Sequence, residues 1–187
     1  MKIQDINIFN KNVIKTGELL EVGSFQIEDG KLKFNKSQKL SNEEYQCDFG
    51  RVYIISVNDI IYKIGGSSAK GGIKKTINSY VTGNSGSPGE SRFAINSLIT
   101  SEIQKGRDVK VYMILSTESF VRINGLTTTN KMVPVFAFKE IEKLCLDDHK
   151  QFDANQPIPM WNFKERGVPY PEEIRKAYAN YKTNNAN

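Results

Sequence analysis

The chain has 187 residues, of which 39% are hydrophobic and 25% charged, with a net charge of +5 and a pI near 9.1. That is the make-up of an ordinary globular domain with room for an appended arm, and no apolar run approaches the roughly 20 residues that span a bilayer. The start, Met1 to Asp5, lacks an apolar signal core, so an intracellular, cytoplasmic protein is expected. Cys47 and Cys145 stand alone and far apart, which excludes a zinc-ligand pair or a disulfide framework and predicts two buried thiols. The basic balance permits a polyanionic partner. Lysines gather at 31–39 and 63–75, whereas 140–148 is acid-rich, an arrangement that suits a basic face opposite an acidic pocket.

In chain order, residues 1–22 carry Ile3, Ile6, Ile8 and Phe9, then Leu19, Leu20 and Val22, and read as an arm packed on the core. Phe25 and Ile27 alternate with polar residues, Asp29-Gly30 makes a two-residue turn, and Leu32 and Phe34 alternate on the return, which together predict a hairpin over 24–34. Its Lys31 and Lys33 fall on the face away from Leu32 and Phe34, as a solvated face or as contacts to a phosphate backbone. Residues 35–48 read as a polar connector. Two β-branched runs follow, Arg51 to Ile55 and Ile60 to Gly65, as a second hairpin. A loop with Gly65, Gly66, Ser67, Lys70, Gly71 and Gly72 leads into a basic helix over 72–80. Residues 81–90 read as a loop able to act as a flap. Ser91 is placed as the cap of a helix running to about Lys105, with Ile95, Leu98, Ile99 and Ile103 on its buried face. Val109 to Leu115 reads as a third strand, Asn124-Gly125 as a turn, and Met132 to Phe136 as an edge strand because of Pro134. A helix from Phe138 to Phe152 is expected to bury Ile141, Leu144, Cys145 and Phe152, with His149 on the surface. A short helix starts at Pro171, and the residues from Thr183 onward read as frayed. The fold class is therefore α+β: a small three-stranded antiparallel sheet flanked by helices, with an N-terminal β-hairpin arm. The expected domains are an arm over 1–48, a core over 49–165 and a helical tail over 166–187.

The runs Val52-Tyr53-Ile54 and Tyr62-Lys63-Ile64-Gly65 resemble the signature of GIY-YIG nucleases. The first motif tyrosine falls on Tyr53 and the second on Lys63, as in a subset of GIY-YIG restriction endonucleases that carry lysine there. The run Gly72 to Tyr80 resembles the next helix of that family, with its tyrosine at Tyr80. Glu142, ahead of Pro159-Met160-Trp161-Asn162, matches the essential acid and the Pro-x-x-Asn turn that follows it. The resemblance runs from about residue 50 to 163 and departs at Thr76, where the family has arginine. Lys74, Lys75 or Arg92 then supplies the cation, or the site is impaired, or position 76 has been changed by mutation.

The resemblance implies hydrolysis of DNA phosphodiesters with a magnesium or manganese ion held by Glu142. Tyr53 would act as general base or orient the water, with Lys63 lowering its pKa; Tyr80 would position the nucleophile or a phosphate. Ser67, Lys70, Lys74, Lys75 and Arg92 would contact the nucleic acid. Double-stranded DNA is the expected partner, cut by a homodimer as in type II restriction. Two other readings stand beside it: a protein of the same fold that binds nucleic acid without cutting, and a generic α+β interaction domain. Asp108-Val109-Lys110, an acid-x-lysine triplet, is a competing but weakly specific nuclease pattern.

Overall fold

The computed structural model describes residues 1–3, 19–116, 118–123 and 131–185. The Ile6, Ile8 and Phe9 stretch and the Asn124-Gly125 turn lie outside them. Two hairpins and one lone strand make the main sheet. The first hairpin is β1 (Leu19–Glu28) and β2 (Lys31–Lys36), turned by Asp29 and Gly30, both at positive φ. The second is β3 (Arg51–Val57) and β4 (Ile60–Ser67), turned in the same way at Asn58-Asp59. The lone strand β5 (Val109–Leu115) lies between them, and the order is β2-β1-β5-β3-β4, antiparallel throughout.

Among the described residues the sheet thus has five strands where three were expected. The hairpin read as an arm pairs its first strand with the free edge of β5, Leu20 opposite Met113 and Phe25 opposite Val109. That pairing joins segments some 85 to 95 positions apart in the chain, so local alternation carries no sign of it. Leu19, Leu20 and Val22 belong to this strand as well.

The connector holds a short helix, α1 (Asn42–Gln46), with Ser41 and Glu44 forming a capping box. Helices α2 (Gly72–Val81) and α3 (Glu90–Gln104) cover one face of the sheet, burying Ile73, Ile77, Ile95 and Ile99 against Ile55, Val111 and Met113. The cap of α3 is Gly89, and Ser91 lies in the first turn. Strands β6 (Glu118–Ile123) and β7 (Lys131–Phe136) form a separate two-stranded sheet. Helix α4 (Phe138–Phe152) covers the other face of the main sheet, with Ile141, Cys145 and Leu146 against Val52, Ile54 and Ile64. Ile141 and Cys145 face the sheet as expected, but the rest of the stripe differs. Leu144 and Phe152 are 61% and 64% exposed, whereas His149 is 2% exposed with its ring near the Pro157 carbonyl at 3.4 Å. The stripe that faces the sheet steps through 138, 141, 142, 145, 146 and 149, and so takes in Glu142 and His149.

Helix α5 (Phe163–Arg166) and the longer α6 (Glu172–Asn184) complete the chain. Two tyrosines of α6 hold the 82–89 loop: Tyr181 donates to the Gly86 carbonyl at 2.8 Å and Tyr178 to that of Pro88 at 3.1 Å. The segment expected as a flap is therefore tied to the body. Both cysteines are free and half-buried, and burial pushes the Cys145 thiol up to about 11. Lys31 and Lys33 are exposed, and Asp108 and Lys110 pair with each other at 2.9 Å beside the Asn58-Asp59 turn. No helix among the described residues is long and apolar enough to cross a membrane.

Candidate active site

The site is built on the outer strand β4, whose Gly65 and Gly66 present opposite faces. Tyr53 stands across from Gly65 in the ladder, and its ring lies where a side chain at 65 would be: a Cβ there would meet the hydroxyl at 2.5 Å and Cζ at 2.6 Å. The Tyr53 hydroxyl lies 2.6 Å from that of Tyr80 on α2, with the two rings edge to face at 6.1 Å. Both are buried. Burial pushes the Tyr53 phenol up to about 12; the nearby Glu142 and Glu165 carboxylates add to this, and the bond to Tyr80 opposes it. Burial, then the neighbouring Tyr53, raises Tyr80 well above its ordinary range. Lys63 is not among the groups that bear on Tyr53, and burial sets the direction for both hydroxyls.

Lys63 pairs with Ile55 and so shares the face of Tyr53. It is half-buried in a cleft of about 290 Å³ with Tyr53, Tyr80, Arg92 and Glu165. Burial pulls the Lys63 ammonium below its ordinary range; Glu165 opposes this most, followed by Glu142.

Glu142 reaches the glycine pair from the other face of the sheet. A Cβ at Gly66 would meet its Oε2 at 2.5 Å and the Phe138 ring at 2.8 Å. The missing side chains thus let the tyrosine pair and the carboxylate approach one strand from its two sides. Glu142 is half-buried and Glu140 exposed. The outer edge of β4 is held by the turn after α4. Asn162 accepts from the Ile64 amide at 2.9 Å and donates to the Ile64 carbonyl at 2.7 Å, while the Trp161 amide donates to the Tyr62 carbonyl at 2.7 Å. A single buried side chain stands in for a neighbouring strand and fixes the backbone between Lys63 and Gly65.

A second cleft of about 400 Å³ runs along α2 and holds Ser67, Lys75, Thr76, Ser79 and Arg92. Lys70 and Lys74 are exposed and line neither cleft. Among the described residues no three His, Cys, Asp or Glu side chains converge as a metal cage. The carboxylate that fits a metal is Glu142, which forms no ion pair with a described residue and sits over a backbone without a Cβ. One carboxylate suits a hard cation that draws its other ligands from water and phosphate.

Sequence reasoning missed Glu165, whose charge bears on both Tyr53 and Lys63. Its signal is its place three residues after Asn162, in the segment that returns to β4.

No family model matches the chain, and no curated protein does. Among solved structures, a mutant of bacteriophage T4 EndoII is similar at a TM-score of 0.52 and 21% identity, over 77% of this chain and 90% of that one. Restriction endonuclease HPY188I in complex with product DNA is similar at a TM-score of 0.44 and 20% identity, over 74% and 75%. The likeness to EndoII shows a shared α+β fold that takes in most of both chains.

Proposed function

We propose that this chain is a divalent-metal-dependent DNA endonuclease of GIY-YIG type. The observation that carries the reading is the convergence on Gly65-Gly66: the Tyr53–Tyr80 hydroxyl pair and Lys63 approach from one face and Glu142 from the other. The residues come from β3, β4, α2 and α4, and structural packing alone does not require this set at one glycine pair. The fold shared with EndoII supports the same reading.

Glu142 would hold a magnesium or manganese ion. The chemistry such an ion supplies is neutralisation of phosphate charge and assistance to the departing oxygen. Tyr53, protonated, orients the attacking water through its hydroxyl, with Tyr80 fixing that hydroxyl in place. Lys63 supplies positive charge from inside the cleft. Ser67 and Lys75 border the path of the nucleic-acid backbone; Lys70 and Lys74 act at longer range from the surface. One such site per chain cuts one strand, so cleavage of a duplex at a symmetric sequence, as in type II restriction, calls for a homodimer.

The test is incubation with mixed-sequence duplex DNA, with and without magnesium, beside Glu142→Ala. Discrete products that require both magnesium and Glu142 are expected; equal cleavage by the variant refutes the metal assignment. Thr76 favours a second reading, binding without cutting, since threonine brings no cation to a phosphate. Salt-dependent binding with no magnesium-dependent product would establish it.

A further inference from the structure

Arg92 stands in the first turn of α3 with its side chain exposed. It is the one cation common to the walls of both clefts, the tyrosine cleft and the cleft along α2. Among the described residues it has no carboxylate partner, so its guanidinium is not committed elsewhere. Its charge bears on Tyr80, drawing the phenol down against the larger effect of burial. The α2 cleft has two cations, Lys75 and Arg92, and no carboxylate in its walls. Thr76 and Ser79 on α2 and Thr82 at its C-cap, each about one turn apart, line it with short hydroxyl side chains that leave room for a polyanionic chain. Ala69, in its wall, is held by the buried Arg51, which donates to the Ala69 carbonyl at 2.7 Å.

We propose that Arg92 is the phosphate-binding cation of this site, and that one nucleic-acid strand runs from the tyrosine cleft past Arg92 into the α2 cleft, where the neighbouring phosphate binds. This rests on the nuclease reading above. A planar guanidinium at the junction matches phosphate oxygens two at a time, which an ammonium does not. It holds the reacting phosphate beside Tyr53 and Tyr80 while the hydroxyl-lined groove takes the strand onward. Thr76 faces the same groove from α2 and marks a second position from which a cation would reach that place.

The test compares Arg92→Ala, Arg92→Lys and Arg92→Ala combined with Thr76→Arg. Two readouts are used: magnesium-dependent cleavage, and duplex affinity in chelator as a function of salt. Arg92→Ala is expected to lower cleavage about 10²- to 10³-fold, the loss typical of removing one charge-stabilising donor. It is expected to reduce the slope of log affinity against log salt by about 0.9, one phosphate contact. Arg92→Lys keeps the slope but recovers only part of the rate. Thr76→Arg restores at least tenfold in cleavage to the alanine variant. Cleavage and salt slope unchanged in Arg92→Ala would overturn the proposal. If the parent chain binds DNA but does not cut it, the nuclease reading fails, and the slope still decides whether Arg92 holds a phosphate.

Discussion

Gly65→Ala adds one methyl group at the point where the fold leaves room for the Tyr53 ring. Gly65 has ordinary strand backbone outside the left-handed region, so alanine meets no conformational barrier and the cost is contact alone. The new Cβ would stand 2.5 Å from the Tyr53 hydroxyl, 2.6 Å from Cζ and 3.0 Å from Cε1, all well inside van der Waals separation. The ring is buried between β4 and α2, so it moves only by pushing α2 or abandoning Tyr80. Overpacking of this kind costs about 1–3 kcal/mol. Losing the buried 2.6 Å hydrogen bond adds about 1 kcal/mol. The expected loss is therefore about 2–4 kcal/mol, which at a urea slope near 2 kcal/mol/M lowers the midpoint by about 1–2 M. Equilibrium unfolding in urea measures it, with the slope unchanged. The control is the same substitution in Tyr53→Ala, where the methyl group enters vacated space and the penalty disappears. A loss below about 0.5 kcal/mol, or an equal loss in both backgrounds, refutes the claim that Gly65 is there to receive the ring. Cleavage by Gly65→Ala is expected to fall as well, because the hydroxyl pair is displaced although no reacting group is removed.

Two further predictions concern groups outside the reacting cluster. Asn162→Ala leaves the Ile64 amide and carbonyl without their partner, and at about 1–3 kcal/mol for each buried orphan the expected loss is about 2–6 kcal/mol. Faster hydrogen exchange at the Ile64 amide would locate the effect, and a stability change under 1 kcal/mol would show that the clamp is dispensable. His149 is buried, which pulls its imidazole below the ordinary range, with the Pro157 carbonyl opposing. The unfolded chain therefore takes up the proton first, so stability is complete above about pH 6.5 and declines as the pH falls toward the lowered folded value. His149→Gln should flatten that decline in unfolding experiments run from pH 5 to 7; a parent protein whose stability does not fall there contradicts the burial argument.

The local pattern of this chain carried the elements of the fold but not their number in one sheet. The Asp29-Gly30 hairpin, the β3–β4 hairpin, β5, α2 and α3 are legible because alternation, turn residues and helical spacing are properties of ten-residue windows. The pairing of β1 with β5 is not, because each strand looks the same whether its edge is free or occupied. Helix α4 misled for a related reason. Leu144 and Phe152 are apolar and lie close in sequence to Ile141 and Cys145, so the expected stripe took them in, but they face solvent. The sheet instead receives Ile141, Cys145 and Leu146 together with two polar side chains, Glu142 and His149, in the same stripe. His149, at the end of a charged helix, looks like a surface residue because the carbonyl its ring approaches, that of Pro157, lies in the loop that follows.

The candidate site shows the same division. Tyr53, Lys63 and Tyr80 were readable as a set because β3 and β4 are consecutive, but the shared face of Tyr53 and Lys63 depends on a bulge: the turn pairs Ser56 with Ile61, Tyr62 is skipped, and Ile55 then pairs with Lys63. The two glycines were readable as places of close approach, but not that they serve opposite faces, the tyrosine pair on one and the carboxylate on the other. That distinction gives the arrangement its chemical meaning. The tyrosine cleft holds one carboxylate, Glu165, against three cations, Lys63, Arg92 and Lys164. On the proposed reading Glu142, set across the strand, is the carboxylate that would take a metal ion, while Arg92 and Lys63 would offer the cleft's charge to an anion. Glu165 is the carboxylate bearing most strongly on the half-buried Lys63, and it opposes the effect of burial on the ammonium. Glu165→Gln tests this division of charge: with the support of Glu165 gone, Lys63 loses its proton at lower pH, so the alkaline limb of the proposed cleavage activity should move down in pH while its magnesium dependence stays the same, and an unchanged pH profile refutes the role of Glu165.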